Sequence, residues 1–529
     1  MLTPRGDSPL HNLLLLAMAA LIYISGFVIA TPATAFETNS RQASATGSHD
    51  PGAAHGAEHT APDQGKTPIH EEGAKAHHGL HLDGSKVGIL WCIPFVGILL
   101  SIAILPLFTP HLWEHHYGKI SLFWGLSFFL SFSYAYGFKM GFFYLTEVYL
   151  SEFIPFIVLL LALFAVSGGV LLKGSLRGSP PVNVVILMIG TALASWMGTT
   201  GAAMLLIRPL IRANQWRKYR AHTVIFFIFL VANIGGSLTP LGDPPLFLGF
   251  LKGVSFFWTT KHMLGPMLFA ASILLGIFFI LDAVLYKKEG APPDDGEKVP
   301  FSLEGKANLL LLPLIVAAVV FSGIWHPNIE NPADVAISAF GAPMLTKGVL
   351  VQVIALLVIA GVSVLITKKE TREGNGFTWE PILEVAKLFA TIFITMVPAI
   401  AILRAGTDGA LASVVSLVSD NGNPVNAMYF WATGALSSFL DNAPTYVVFF
   451  NTAGGDAVHL MGEWSQTLLA VSCGAVFMGA NTYIGNAPNF MVKSIAEENK
   501  VPMPSFFGYM TWSVGFLIPV FLLVTWVFF

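Results

Sequence analysis

Long apolar runs separated by short polar ones organise this chain. They fall near 87–108, 118–138, 153–172, 182–207, 222–251 and 262–286, then near 307–324, 348–366, 381–403, 427–450, 466–492 and 506–528. Runs of roughly 20 apolar residues match a helix that crosses a bilayer; barrel strands would alternate instead. Ahead of them, Arg5 precedes an apolar stretch at 13–30, and Ala33-Thr34-Ala35 stands just before Phe36. Residues 1–36 thus read as a signal peptide or signal anchor, which places residue 37 outside the cytoplasm. Residues 37–85 have almost no large apolar side chains and are expected to be a disordered, His-rich extracytoplasmic linker. Residues 287–306 form a polar cytoplasmic linker between the two series.

The series share punctuation as well as length. Gly236-Ser-Leu-Thr-Pro-Leu-Gly-Asp-Pro-Pro-Leu-Phe247 aligns without gaps on Gly479-Ala-Asn-Thr-Tyr-Ile-Gly-Asn-Ala-Pro-Asn-Phe490, an offset of 243 residues. Asp243 falls on Asn486. The same offset carries Ser195 onto Ser438, and Gly198-Thr199-Thr200-Gly201 onto Asp441-Asn442-Ala443-Pro444. Paired interruptions at fixed spacing indicate duplication, with repeats at 86–286 and 307–529. Residues 208–222 carry Arg208, Arg212, Arg217, Lys218 and Arg220, whereas the equivalent 451–465 has no Lys or Arg but holds Asp456 and Glu463. Basic loops stay cytoplasmic, so equivalent loops lie on opposite sides and the repeat is inverted. Inversion requires an odd number of crossings per half, so one segment of each six enters and leaves on the same side. The interrupted segments 182–213 and 427–451 suit such a re-entrant hairpin. The expected fold is an all-α integral membrane protein with about ten transmembrane helices in two inverted repeats, each with a re-entrant hairpin and a broken helix.

Composition agrees: 54% of the 529 residues are hydrophobic and 11% charged, against about 25% charged in soluble proteins. A net charge of −3 gives no footprint for nucleic acid. Cys92 and Cys473 sit in apolar runs, which excludes a disulfide framework. No nucleophile–base set or phosphate loop is readable, so neither an enzyme nor a cofactor is expected. Seven histidines lie in the linker, His49, His55, His59, His70, His77, His78 and His81. His77, His78 and His81 are candidate metal ligands, although irregular spacing favours a solvated tail.

Helices broken at bilayer depth expose carbonyls and N–H groups whose neglect costs several kcal/mol each, so matched breaks point to a held ligand. Hydroxyl and amide oxygens at such ends suit a dehydrated Na⁺. The first half offers Thr199, Thr200 and Thr239; the second offers Ser437, Ser438, Asn442, Thr445, Asn481, Thr482 and Asn486. Asp243 and Asp441 are the acids within the breaks, and an ionisable group at that depth marks a functional site. The alternative is that each caps a helix; the two readings stand level for Asp243, and the ion role is favoured for Asp441. Glu147 and Glu152 read as interfacial, and Glu380, Glu384 and Lys387 as one surface set on a helix start.

The stretches LDNAPT, NTYIGNAPNF and NIGGSLTPLGDPP resemble the ion-transporter superfamily, most closely NhaD-type sodium/proton antiporters and the related arsenite and citrate permeases, over about residues 87–529. The resemblance implies inverted repeats, elevator-like movement, a homodimer and the bacterial inner (plasma) membrane. It places Ser437, Asp441 and Asn442 where NhaD-like chains keep an ion-binding hydroxyl, acid and amide. Asn481-Thr482 is similar to the Asn-Thr portion of the Ser-Asn-Thr signature of sodium/dicarboxylate symporters, whereas the first hairpin has Gly-Thr-Thr-Gly instead. The expected function is exchange of Na⁺ (or Li⁺) for H⁺. The alternative is a Na⁺- or H⁺-coupled permease of an organic or oxy-anion such as citrate or arsenite. The breaks have no neighbouring Lys or Arg except Arg208 at the cytoplasmic edge, which favours cations.

Overall fold

The computed structural model describes residues 82–174, 176–289, 300, 302–420 and 422–529. The signal segment and His77, His78 and His81 lie outside the described residues. The chain divides into two units: residues 1–79 with 337–342, and residues 80–336 with 343–529. Of the first, only Ile337–Ala342 is described, turning through Phe340 and Gly341 at positive φ.

The second unit is mostly helical. Among the described residues, seven helices are long and apolar enough to cross a membrane, or eight if the bent pair Glu380–Thr395 and Val397–Arg404 is one span. The first series contains α1 (Ile89–Phe108), α2 (Pro110–Tyr136), α3 (Phe138–Ser167), α4 (Pro180–Met197), α5 (Thr199–Ala213), α6 (Ala221–Leu230), α7 (Pro244–Leu251) and α8 (Phe256–Tyr286). The second contains α9 (Lys306–Ile324), α10 (Lys347–Ile366), α11 (Glu380–Thr395, bent 43° into Val397–Arg404), α12 (Asn426–Phe439), α13 (Asn442–Thr452), α14 (Ser465–Met478), α15 (Ala487–Glu498) and α16 (Phe506–Phe528).

The irregularities recur at the same offset. The α4–α5 break at Gly198 corresponds to the α12–α13 break at Asp441, and the turn Ile234–Ser237 to Gly479–Asn481. A π-turn ahead of Pro155 in α3 corresponds to the bend ahead of Pro398 in α11. Packing between the halves is reciprocal: α5 lies on α15 while its counterpart α13 lies on α7, and α3 lies on α10 while α2 lies on α11. Glycine makes the crossings possible. Gly198 has φ +80°, open to a residue without Cβ. A Cβ on Gly242 would stand 2.0 Å from the Gly236 carbonyl oxygen, and one on Gly485 would stand 2.5 Å from that of Gly479.

Several expectations need correction. α3 begins at Phe138, not near 153, because Gly137 at φ +94° ends α2 and an apolar run restarts at once. Glu147 and Glu152 are therefore inside a span rather than at its edge, and Glu152 accepts from Lys252 Nζ at 2.9 Å. Glu384 accepts from Trp113 Nε1 at 3.2 Å and Lys387 lies over the Tyr117 ring, so both reach α2 rather than forming a surface set. The linker read as disordered to residue 85 is already anchored at Leu82, whose N–H donates to Tyr144 Oη at 2.8 Å. Leu171–Lys173 pairs antiparallel with Ser302–Glu304, sealed by Lys173 on Glu304 at 2.7 Å.

In the loop after α9, Asp334 accepts from Asn331 Nδ2 and the Asn328 N–H and pairs with His326 at 2.7 Å. The His326 hydrogen bond holds its carboxyl below the ordinary carboxylate range. A depressed folded-state value stabilises above the unfolded one and is lost as protonation sets in. Protection of the Asn328 N–H from hydrogen exchange, relative to an unfolded peptide at the same pH, should thus be high at neutral pH and fall below about pH 4, and Asp334→Ala should lack that protection already at neutral pH. Gly242→Ala and Gly485→Ala should each cost about 1–3 kcal/mol of thermal stability in detergent. Gly276→Ala and Gly361→Ala, whose added methyl meets nothing within 4 Å, should not.

Candidate functional site

Each broken helix is stapled to its hairpin by the same pair of hydroxyls. In the first half, Ser195 Oγ donates to the Gly235 carbonyl at 2.5 Å, and Thr239 Oγ1 donates to the Ser195 carbonyl while accepting from the Leu241 N–H at 3.2 Å. In the second, the single Ser438 hydroxyl hydrogen is shared between the Gly434 carbonyl at 2.7 Å and the Met478 carbonyl at 3.2 Å, and Thr482 Oγ1 donates to the Ser438 carbonyl at 2.5 Å while accepting from the Ile484 N–H at 3.2 Å. These bonds satisfy backbone groups that the interruptions would orphan. Thr239, Ser438 and Thr482, nominated as ligands, thus donate their hydroxyl hydrogens to backbone carbonyls, which leaves only oxygen lone pairs to face a ligand. Ser437 donates to the Ala475 carbonyl at 2.7 Å and Thr445 to that of Asp441 at 3.0 Å.

The staples bring four other residues together. Asp243, with 1% of its surface exposed, accepts from Thr199 Oγ1 at 3.2 Å, Asn442 Nδ2 at 2.5 Å and Asn486 Nδ2 at 3.0 Å. Thr199 and Asn442 are equivalent positions of the two repeats, as are Asp243 and Asn486. One acid thus collects both hairpin tips and both breaks. Asp243 stands at the N-cap of α7 yet makes no capping bond. Asp441 does cap: its Oδ1 accepts from the Ala443 N–H at 3.0 Å, occupying the place where Gly198 turns the first hairpin without a side chain.

Beside the cluster lies a cavity of about 110 Å³, room for several waters. Thr199, Thr200, Gly201, Asp243, Asp441 and Asn486 line one wall; the other is apolar, with Leu159 and Leu163 of α3 and Ile382 and Phe389 of α11. No Lys or Arg lines it. Asn442 Oδ1 and Asn481 Oδ1 are buried with no donor, although Asn481 Nδ2 donates to Ser438 Oγ at 2.9 Å. Amide oxygens and a carboxylate are the ligand types a hard cation takes. Among the described residues no group of three His, Cys, Asp or Glu is placed to hold a metal.

Residues 84–529 match the family model CitMHS_2, described as "Putative citrate transport". The chain belongs to this family. No curated protein matches it. Membership in CitMHS_2, with the apolar helices above, makes the protein a multi-pass membrane transporter. Two residues of this CitMHS_2 chain escaped the sequence reading. Asn233 and Asn489 are fully buried against the cluster, but their repeat counterparts are Val476 and Leu246, so the offset that flagged the others passes them by. The signal available was an amide inside an otherwise apolar run.

Removing one donor from a buried charged acceptor costs about 1.5–3 kcal/mol. Asn442→Leu and Asn486→Leu should each lower thermal stability by that order, while Thr200→Val should be near neutral. Asp441→Ala should cost about 1 kcal/mol as a lost cap, and Asp441→Asn, itself a good cap, should restore it.

Proposed function

We propose that the protein couples movement of Na⁺ or H⁺ to transport of an organic or oxy-anion of the citrate class. The observation that carries the reading is the meeting of both hairpin tips and both breaks on Asp243 beside a cavity. Helix N-termini of α5 and α15 open onto that cavity through Thr200, Gly201 and Ala487, and such ends favour anions through free N–H groups and the helix dipole. Asp243, Asp441 and the unmatched amide oxygens would place a cation beside the anion, offsetting the charge that protein side chains leave unopposed there. The CitMHS_2 match to residues 84–529 supports an anionic cargo.

The architecture behind this reading is ten crossings in two inverted repeats, with α4–α5 and α12–α13 as re-entrant hairpins. Its support is the reciprocal packing of α5 on α15 and α13 on α7, since a two-fold relation makes each contact occur twice. The residues of 208–222 would then face the cytoplasm of a bacterial inner membrane, and the protein would work as a homodimer. A second reading, exchange of Na⁺ or Li⁺ for H⁺, is favoured by the absence of Lys and Arg from the cavity lining and the presence of two carboxylates.

Purified full-length protein in liposomes separates them. Radiolabelled citrate uptake should rise under an inward Na⁺ or H⁺ gradient, and Asp243→Asn should reduce it by at least about tenfold, the effect of 1.4 kcal/mol at the site. Na⁺ that dissipates an imposed pH gradient without citrate, in liposomes that take up no citrate, would establish the exchange reading instead.

A further inference from the structure

Asn486 faces two ways at once: it contacts Asp243 and it lines the cavity. A terminal amide has nearly the same shape after a half turn, so packing cannot decide which end meets which neighbour. Only hydrogen-bond partners decide it. A chain of three asparagines supplies that decision together with the Ala232 carbonyl and Asp243 itself. One terminal atom of Asn489 lies 2.8 Å from the Gly479 carbonyl oxygen and 2.9 Å from that of Thr482. Both are pure acceptors, so that atom is the NH₂. The other end of Asn489 is consequently its oxygen, and it accepts from Asn233 Nδ2 at 2.7 Å. The same Nδ2 also donates to the Ile228 carbonyl at 2.8 Å, which fixes Asn233 independently. Asn233 Oδ1 is then left to accept from Asn486 Nδ2 at 3.3 Å, and the Ala232 carbonyl accepts from that same nitrogen at 3.2 Å.

We propose that Asn489 and Asn233 are positioning residues, whose one-way run of amides turns Asn486 so that its NH₂ meets Asp243 and its carbonyl oxygen faces the cavity as a cation ligand. A reversed Asn486 would oppose its oxygen to the Asp243 carboxylate and present an NH₂ dipole to the cation. The run crosses between the repeats, from α15 to the end of α6 and back to the N-cap of α15. It exists once, because Val476 and Leu246 fill the equivalent positions. Its asymmetry matches that of the site, where one break carries an acid and the other an amide. Space for it is tight: a Cβ on Gly479 would stand 3.1 Å from Asn233 Oδ1.

The inference rests on the reading of Asp243 and its neighbours as the cation site, but not on the identity of the anion. The test is equilibrium binding of ²²Na⁺ to the detergent-purified full chain, paired with transport rates in liposomes. Asn489→Leu and Asn233→Leu should each raise the Na⁺ concentration for half-saturation about tenfold and leave the maximal transport rate at saturating Na⁺ within about twofold. In an Asn486→Leu background, adding Asn489→Leu should change Na⁺ affinity no further, since the group it orients is gone. A merely structural role would lower melting temperature and maximal rate in both backgrounds without that non-additivity. If Asn489→Leu does not fold, Asn489→Ser, which keeps one donor and one acceptor, should give a smaller shift in the same direction. Wild type that binds Na⁺ with both leucine variants unchanged would overturn this inference alone. Wild type that binds no Na⁺ would overturn it together with the sodium arm of the proposed function.

Discussion

A carboxylate buried from bulk solvent inside a lipid-embedded protein is tolerable only when its surroundings replace hydration, and Asp243 is such a group. Its replacement shell is neutral: a threonine hydroxyl and two amides. These donors arrive from both halves of the chain, so the acid can be satisfied only when both hairpins and both broken helices are in register. The rest of the site follows from that demand. The Ser–Thr staples and the close Gly–Gly crossings set the height of each break, and the breaks set where Thr199, Asn442 and Asn486 stand.

A neutral shell has a functional consequence. With no Arg or Lys at the cavity wall, a negative charge on Asp243 or Asp441 would be unopposed by protein cations there. Na⁺ or H⁺ at the site would relieve it, and a citrate-class anion arriving at the helix ends would need that relief more than Asp243 does. Coupling between cation and anion would then be electrostatic. The cavity-facing side chains of α3 and α11, Leu159, Leu163, Ile382 and Phe389, are apolar. The polar links from α3 to the rest of the first half lie elsewhere, Ser167 Oγ on the Met197 carbonyl at 3.2 Å and Glu152 with Lys252 at 2.9 Å.

Much of this was readable beforehand. The 243-residue offset located the breaks and paired Thr199 with Asn442 and Asp243 with Asn486, because Gly, Thr and Pro leave fixed marks wherever a helix must stop. What the offset could not show is that the two pairs converge on one atom group, which depends on how the halves pack. Nor could it show that Thr239, Ser438 and Thr482 also hold the backbone across each break. Asp441 was favoured as the ion residue, yet its visible bond is a cap. Glu147 and Glu152 were read as interfacial since charge at the edge of an apolar run looks like a boundary, and a partner 100 residues away, Lys252, leaves no local trace.

The most direct test is the infrared difference spectrum of the purified protein on adding Na⁺. Binding at the cluster should shift the carboxylate stretching bands in wild type and in Asp441→Asn, and the shift should vanish in Asp243→Asn. A shift that survives in Asp243→Asn and disappears in Asp441→Asn would contradict the central role given to Asp243.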